Sequence, residues 1–425
     1  MRLKYWHSIL VHNKACIICI FVFLIKYSES TCTIEFTPNA RDGNDVFNIF
    51  SGTGPLLYIY NSEHKPEFRH PMIDRDKLCL YFSSDDKKQP DVRLHLGCAR
   101  PGQHLRTGSS TNFITESTSS TAYAAYKRDL ERFVSAPWSS ITSITCLTRP
   151  VPAVRFFQDN QKDWLVYTAG FPINAILFLP VYRLLKPSHK HHFIGHVKIV
   201  STINYRPTFI ESYEYKNSHF NDHNINYSQC YDRELQIKRF KNVMGNAEKP
   251  YFSGGNYLDR GHLINKNDLF YGPEQMSIFY NENTFPVWYS VNKGNWDLVN
   301  EIVRNFAEEI VSDIEVYTYP FGDFQVKKDI PHLCSFQNLK IRIPLLLIKI
   351  VYWSKNPTEE MAFITANDPL MTEEKMTRLM ESGGKTLCRK RRDCHVEYPQ
   401  FLDAKKGLTY CCALVDIDIA LNSYN

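Results

Sequence analysis

The sequence predicts an α+β protein, and three observations carry that assignment. Short apolar or alternating runs of strand length recur along most of the chain. Two segments, 231–244 and 296–310, instead repeat their apolar residues at helical spacing. From Cys32 to about Pro150 the pattern is short and β-like. With 43% apolar and 14% aromatic residues the chain can build a core, which excludes a disordered polymer. Its 425 residues suit one large or two medium domains.

The first thirty residues read as a leader to be removed. Arg2, Lys4 and Lys14 precede an apolar run of eleven, Ala15 to Ile25, and Ser28 and Ser30 offer small residues at a cleavage site. Eleven residues are too few to span a bilayer comfortably. Residues 1–30 carry four basic residues and one acid, so only +2 of the chain's +5 belongs to the remainder. Overall basicity therefore gives no argument for a polyanionic partner, and any such attraction must be local. The leader also takes Cys16 and Cys19, leaving ten of the twelve cysteines. In an exported chain an even number reads as up to five disulfides. Cys411 and Cys412 are adjacent on a strand candidate and point to opposite faces, so separate partners are expected.

In chain order, residues 31–150 form a β-rich, disulfide-stapled region. Pro55–Tyr60, Leu78–Phe82, Val92–Cys98 and Ile144–Leu147 are its strand candidates, and the Ser/Thr/Gly-rich stretch 106–121 reads as a loop. Pro150-Val151-Pro152 marks a boundary, so residues 151–425 are taken as the second region. There Trp164–Tyr167 and Ala175–Leu179 look like buried strands. The four histidines within 189–196 fit no standard ligand spacing and read as structural. Asn226-Tyr227-Ser228 is a glycosylation sequon. A helix is predicted over 231–244, stopped by Gly245, with Lys238, Arg239 and Lys241 either facing phosphates or simply solvated. A second helix follows Asn292, with Trp296, Val299, Val303, Phe306 and Ile310 as its stripe. Strands are predicted at Ile314–Tyr319, Ile341–Trp353, Met361–Thr365 and Thr409–Val415. The basic run between Cys388 and Cys394 reads as a loop.

The chemistry concentrates in Asp259-Arg260-Gly261-His262 and in Asn292, thirty residues after the His. Phosphodiester hydrolysis needs a base for water, charge neutralisation on the phosphoryl group and help for the leaving oxygen. An imidazole suits the first at neutral pH. A hard divalent cation that keeps most of its waters suits the others, and an Asn carbonyl at a helix start is an acceptable ligand. In this pattern His262 is the base, Asn292 the metal ligand and Arg260 the phosphate or transition-state cation. Asp259 orients neighbours, and Gly261 permits close approach. Each residue alone has a plainer reading: a hydrogen-bonded His, an N-cap Asn, a surface Asp-Arg pair.

Asp259-Arg260-Gly261-His262, followed by Asn292-Lys293-Gly294-Asn295-Trp296 opening a helix, resembles the DNA/RNA non-specific endonuclease family, above all its secreted arthropod gut or salivary branch. Tyr231, Gln236, Gly245, Tyr257-Leu258, Ile341-Arg342-Ile343-Pro344 and Lys406-Gly407-Leu408-Thr409-Tyr410-Cys411-Cys412 extend the likeness. The resemblance implies a ββα-metal nuclease core with a mixed or antiparallel sheet. It implies Mg2+ as cofactor, with Mn2+ as the substitute, and endonucleolytic cutting of DNA and RNA in a secreted, extracellular protein. It further implies His262 as general base, Asn292 as the protein's metal ligand, Arg260 as the motif arginine and Asn283 as a further active-site residue. The pattern departs in two places. Val287 follows Pro286 where a Gln is usual, and Asn300 stands eight residues after Asn292 where the family has Glu. Glu301 is then the candidate acid, although one residue turns a helical side chain by about 100°. A nuclease-fold protein with weakened catalysis that binds nucleic acid or another polyanion is the alternative reading.

Overall fold

The computed structural model describes most of residues 150–413, residues 54–80 with short gaps, and the separate strands 34–36, 93–97, 105–107, 121–127, 132–134 and 144–146. The leader 1–30, Cys32, Cys98, His189, His191 and Asn226 lie outside the described residues.

Nine strands form one antiparallel sheet. Its order is Ala153–Asp159, Trp164–Pro172, Phe178–Pro187, Ile194–Ile199, Ile314–Phe321, Leu346–Tyr352, Met361–Ala366, Thr409–Ala413 and Arg391–Arg392. The strand Leu346–Tyr352 is buried along most of its length, as a run that is apolar but for Lys349 requires, while the edge strand Ala153–Asp159 stays half exposed. The helix Asn295–Glu309 packs on this sheet through Trp296, Val299, Val303 and Ala307. Those positions recur every three or four residues, so a single stripe is buried. Residues 56–60 and 66–68 belong to a second sheet of five strands. They share core with the large sheet: Leu57 and Ile59 join the main cluster, and Leu56 and Tyr58 pack with Phe171 and Leu179.

Several expectations change. Ile176 was expected in a buried strand but is 83% exposed, and the strand begins only at Phe178. The stretch 106–121, expected as a loop, meets strands at its two ends, Leu105–Thr107 and Thr121–Lys127, the latter paired with Arg93–Gly97, and residues 108–120 lie outside the described residues. The helix expected over 231–244 spans Arg233–Met244, capped by the Asp232 carboxylate and ended by Gly245 at φ 60°. Its buried face is Gln236 and Phe240, whereas Leu235 and Val243 are exposed. The long helix starts at Asn295, not at Asn292, which instead closes a separate turn, Tyr289–Asn292.

Three disulfides lie among the described residues: Cys230–Cys334, Cys388–Cys412 and Cys394–Cys411. Cys411 and Cys412 thus take separate partners, as the alternation of strand side chains requires. His196, the last of the histidine run, stacks on Tyr317 and bonds Glu315 at 2.7 Å, a structural role.

A two-stranded ribbon outside the large sheet carries the motif. Leu258–His262 pairs antiparallel with Thr284–Trp288, so that His262 opposes Thr284 and Gly261 opposes Phe285. The ribbon, the turn Tyr289–Asn292 and the long helix make one strand–strand–helix unit.

Candidate active site

Three buried amide side chains hold the ribbon. Gln236 donates through Nε2 to the Leu258 carbonyl and accepts from the Leu258 N–H, both at 2.8 Å. Asn367 accepts from the Trp288 N–H at 3.0 Å and donates to the Pro286 and Pro344 carbonyls. Asn283 accepts from the Ile264 N–H and donates to the Ile264 and Ile278 carbonyls, fixing the chain just after His262. All three residues are at most 0% exposed, so an apolar substitute would leave backbone groups unpaired. The amide of Asn283, expected at the active site, is fully committed to this task.

Gly261 is required by packing. A Cβ there would stand 2.7 Å from the Phe285 ring and 2.8 Å from Val287 Cγ1. The close approach expected at Gly261 is therefore to the partner strand. Gly407, at φ 92°, lets a second loop close on the Asn292 turn, since a Cβ there would meet Val291 Cγ1 at 2.8 Å. Asn295 ties the same loop to the helix start by donating to the Gln400 and Gly407 carbonyls.

On this frame Asp259, Arg260, His262 and Asn292 form a connected set. The Asn292 Nδ2 donates to Asp259 Oδ2 at 3.1 Å, and the other Asp259 oxygen accepts from the Arg260 N–H at 2.8 Å. The Asn292 amide is thereby oriented, with its nitrogen engaged and its carbonyl oxygen left for another partner. The Arg260 guanidinium lies between two rings, 4.4 Å from the Tyr215 centroid and 4.6 Å from that of Tyr231. It makes no ion pair among the described residues, and its Nε is buried without a hydrogen-bond partner. Cation–π contacts hold the group in place while leaving its charge uncompensated.

His262 is half-buried, and its Nε2 lies 2.8 Å from the Tyr215 hydroxyl, with the rings stacked. Burial, then the Arg260 and Lys293 charges, push the imidazole down to about 4. Burial pushes the Tyr215 phenol up to about 12, so it remains a hydroxyl. Tyr215 lies 47 residues before His262, and no sequence spacing marked it. Its neighbour Lys216 forms a parallel bridge with Tyr280, which brings this segment to the site. Lys293 is exposed beside Asn292 and was likewise not singled out.

Glu301 does not join this set: it is exposed, whereas Asn300 is on the buried face. The Asn300 Oδ1 is buried with no hydrogen-bond partner. One turn to either side lie Trp296 and Arg304, and Arg304 pairs with the buried Asp268 at 3.1 Å.

The low value at His262 has a consequence for stability. An unfolded chain protonates this residue below its ordinary value of about 6.5, and the folded chain only near 4. In that window the unfolded state binds more protons, so acidification lowers stability. Between pH 7 and pH 4.5 the melting temperature of the wild type should fall further than that of His262→Asn. Equal falls in paired melts would show that His262 is not held neutral.

The sequence profile of the family described as DNA/RNA non-specific endonuclease matches residues 192–417. A salivary endonuclease of Lutzomyia longipalpis is 25% identical over 257 residues, covering 59% of this chain and 59% of that protein. The salivary protein Tsal2A of Glossina morsitans morsitans is 23% identical over 264 residues, covering 60% of this chain and 63% of that protein. The chain thus spans about three-fifths of the length of these relatives. A solved structure of the EndoG/EndoGI complex aligns with 44% of this chain and 72% of its own, at 13% identity and a TM-score of 0.27. The profile spans more than half of the chain and contains the ribbon, the Asn292 turn and the long helix, and the chain belongs to the DNA/RNA non-specific endonuclease family.

Proposed function

We propose that the protein is a secreted, Mg2+-dependent endonuclease that hydrolyses phosphodiester bonds of DNA and RNA with little sequence preference. In this reading residues 151–425 are a ββα-metal nuclease domain, and residues 31–150 are a separate β-rich region whose strands 56–60 and 66–68 share core with it. The observation that carries the reading is the connected set of Asp259, Arg260, His262 and Asn292 on one strand–strand–helix unit. The three disulfides, the leader and the salivary relatives support secretion.

The donor set fits the metal. The Asn292 carbonyl is a hard oxygen whose amide is oriented by Asp259. Among the described residues no three His, Cys, Asp or Glu cluster as a softer or closed site would need. Asn292 would hold the ion, and Asp259 would fix Asn292. When bound, Mg2+ supplies charge stabilisation for the phosphate and for the departing oxygen.

The remaining steps belong to the chain. His262 is neutral at pH 7 and takes a proton from the attacking water. In this scheme His262 carries its proton on Nε2 and donates it to the Tyr215 hydroxyl 2.8 Å away, which leaves the lone pair on Nδ1 for the proton of water. Arg260, stacked and unpaired, meets the phosphate charge. Asn283 positions His262 by holding the backbone after it, and Glu301 has no role in this scheme. None of these groups reads a base edge, which suits indifference to sequence.

The test is incubation of the purified protein with plasmid DNA and with RNA, with Mg2+ or with EDTA. Nicking of both substrates that needs the metal is expected; intact substrates under every condition reject the enzyme. A second reading, a nuclease-fold protein that binds nucleic acid or another polyanion with weakened catalysis, draws on Asn300, whose buried amide replaces the family's carboxylate. Asn300→Glu discriminates the two. The new acid would lie on the helix face of Arg304, near a buried network with two cations and one carboxylate. A gain of about 10-fold or more in rate would mark a blunted site, and an unchanged rate would favour the active enzyme.

A further inference from the structure

Tyr257 and Tyr289 form a parallel pair beside the Asp259–Asn292 contact. Their ring centroids are 5.1 Å apart and their planes differ by 18°. The Tyr289 N–H donates to the Tyr257 carbonyl at 2.8 Å, and the Ser290 N–H donates to Asn256 Oδ1 at 3.0 Å, so both backbones are pinned together. Tyr289 stands three residues before Asn292 in the same helical turn, which places both on one face. Tyr257 stands two residues before Asp259, and burial, then the Asp259 charge, push its phenol up. The ring pair is therefore the next rung beyond the polar pair proposed to hold the metal.

The turn sorts its side chains sharply. Trp288 and Val291 are 0% exposed, while Tyr289 is 40% exposed. The Tyr289 ring is not part of the core, and it stacks on the Tyr257 ring. A fixed, exposed aromatic face beside a phosphate-cleaving centre matches one ligand class above others, an unpaired nucleobase. Bases inside a duplex already stack on one another and cannot offer a face to a protein ring unless they leave the helix.

We infer that Tyr289, backed by Tyr257, is a stacking platform for an unpaired base next to the scissile phosphate, so that single-stranded or locally opened nucleic acid binds more tightly than closed duplex. This rests on the nuclease reading. The rings would act on binding, and the cut itself would still fall to His262.

The experiment measures binding without cutting. His262→Ala protein with Mg2+ is titrated against a twelve-nucleotide strand carrying 2-aminopurine, and against the same strand as a duplex. Adding Tyr289→Ala should weaken the single strand by about 5- to 150-fold, the range that loss of one base–aromatic stack gives, and should abolish quenching of the probe. Duplex affinity should stay unchanged, and Tyr289→Trp should restore the single strand. If Tyr289→Ala binds the single strand as tightly as its parent, the platform is rejected and the nuclease reading stands. Equal weakening of both forms also rejects it, because the ring would then serve the fold. A parent that binds neither form rejects the platform together with the nucleic-acid reading.

Discussion

Replacing His262 by Ala is expected to lower the cleavage of both plasmid DNA and RNA by about 10²- to 10⁴-fold, the usual contribution of a positioned general base. Both substrates should lose activity in parallel, because the proton taken from water does not depend on the sugar. The variant should remain folded at neutral pH. His262 lies half-buried at the end of the ribbon, and the backbone on either side is held by Gln236 and Asn283. Initial rates on each substrate, with circular dichroism to check folding, measure the effect. A folded variant that keeps more than about a tenth of the wild-type rate would show that another group takes the proton.

Asp268→Asn is expected to produce the largest loss of stability. Asp268 is buried between two cations, with Arg304 Nη1 at 3.1 Å from one oxygen and Lys349 Nζ at 3.8 Å from the other. Lys349 interrupts an otherwise apolar strand and also lies 5.3 Å from the Trp296 ring centroid. Burial depresses its pKa, and Asp268 opposes that shift. Removing the carboxylate charge leaves two buried cations facing one another, which typically costs about 3–5 kcal/mol. A fall in melting temperature of roughly 6–20 °C should follow. Lys349→Met keeps the Arg304–Asp268 pair, adds apolar contact with Trp296 and should cost far less. A melting temperature for Asp268→Asn within about 2 °C of wild type would show that water or a counterion already neutralises the cluster.

Much of this was legible because it was local. Asp259, Arg260 and His262 lie within four consecutive residues of one strand. The helix after Asn292 declared itself through the spacing of Trp296, Val299 and Val303, since one buried stripe needs that period. Other features depend on tertiary contact. Tyr215 reaches His262 across 47 residues, and the Gln236 amide reaches Leu258 across 22, with no periodic signal in either case. Ala153–Asp159 was not anticipated because an edge strand with Arg155 and Asp159 on it lacks a buried pattern. Ile176 was misplaced for the opposite reason. A short apolar run gives no means of telling a core strand from an exposed turn. Glu301 stands one residue beyond Asn300, and one residue is enough to move a helical side chain from the core to the solvent.

The ribbon that carries the site is fastened by Gln236, Asn283 and Asn367, and none of these groups ionises. The clamp therefore adds no net charge of its own and gives way at no particular acidity. Charge at the site is left to Asp259, Arg260, His262 and Lys293, none of which is part of the clamp. An uncharged clamp has no proton to gain or lose, so the acid sensitivity of this ribbon rests with His262 and not with its fastening.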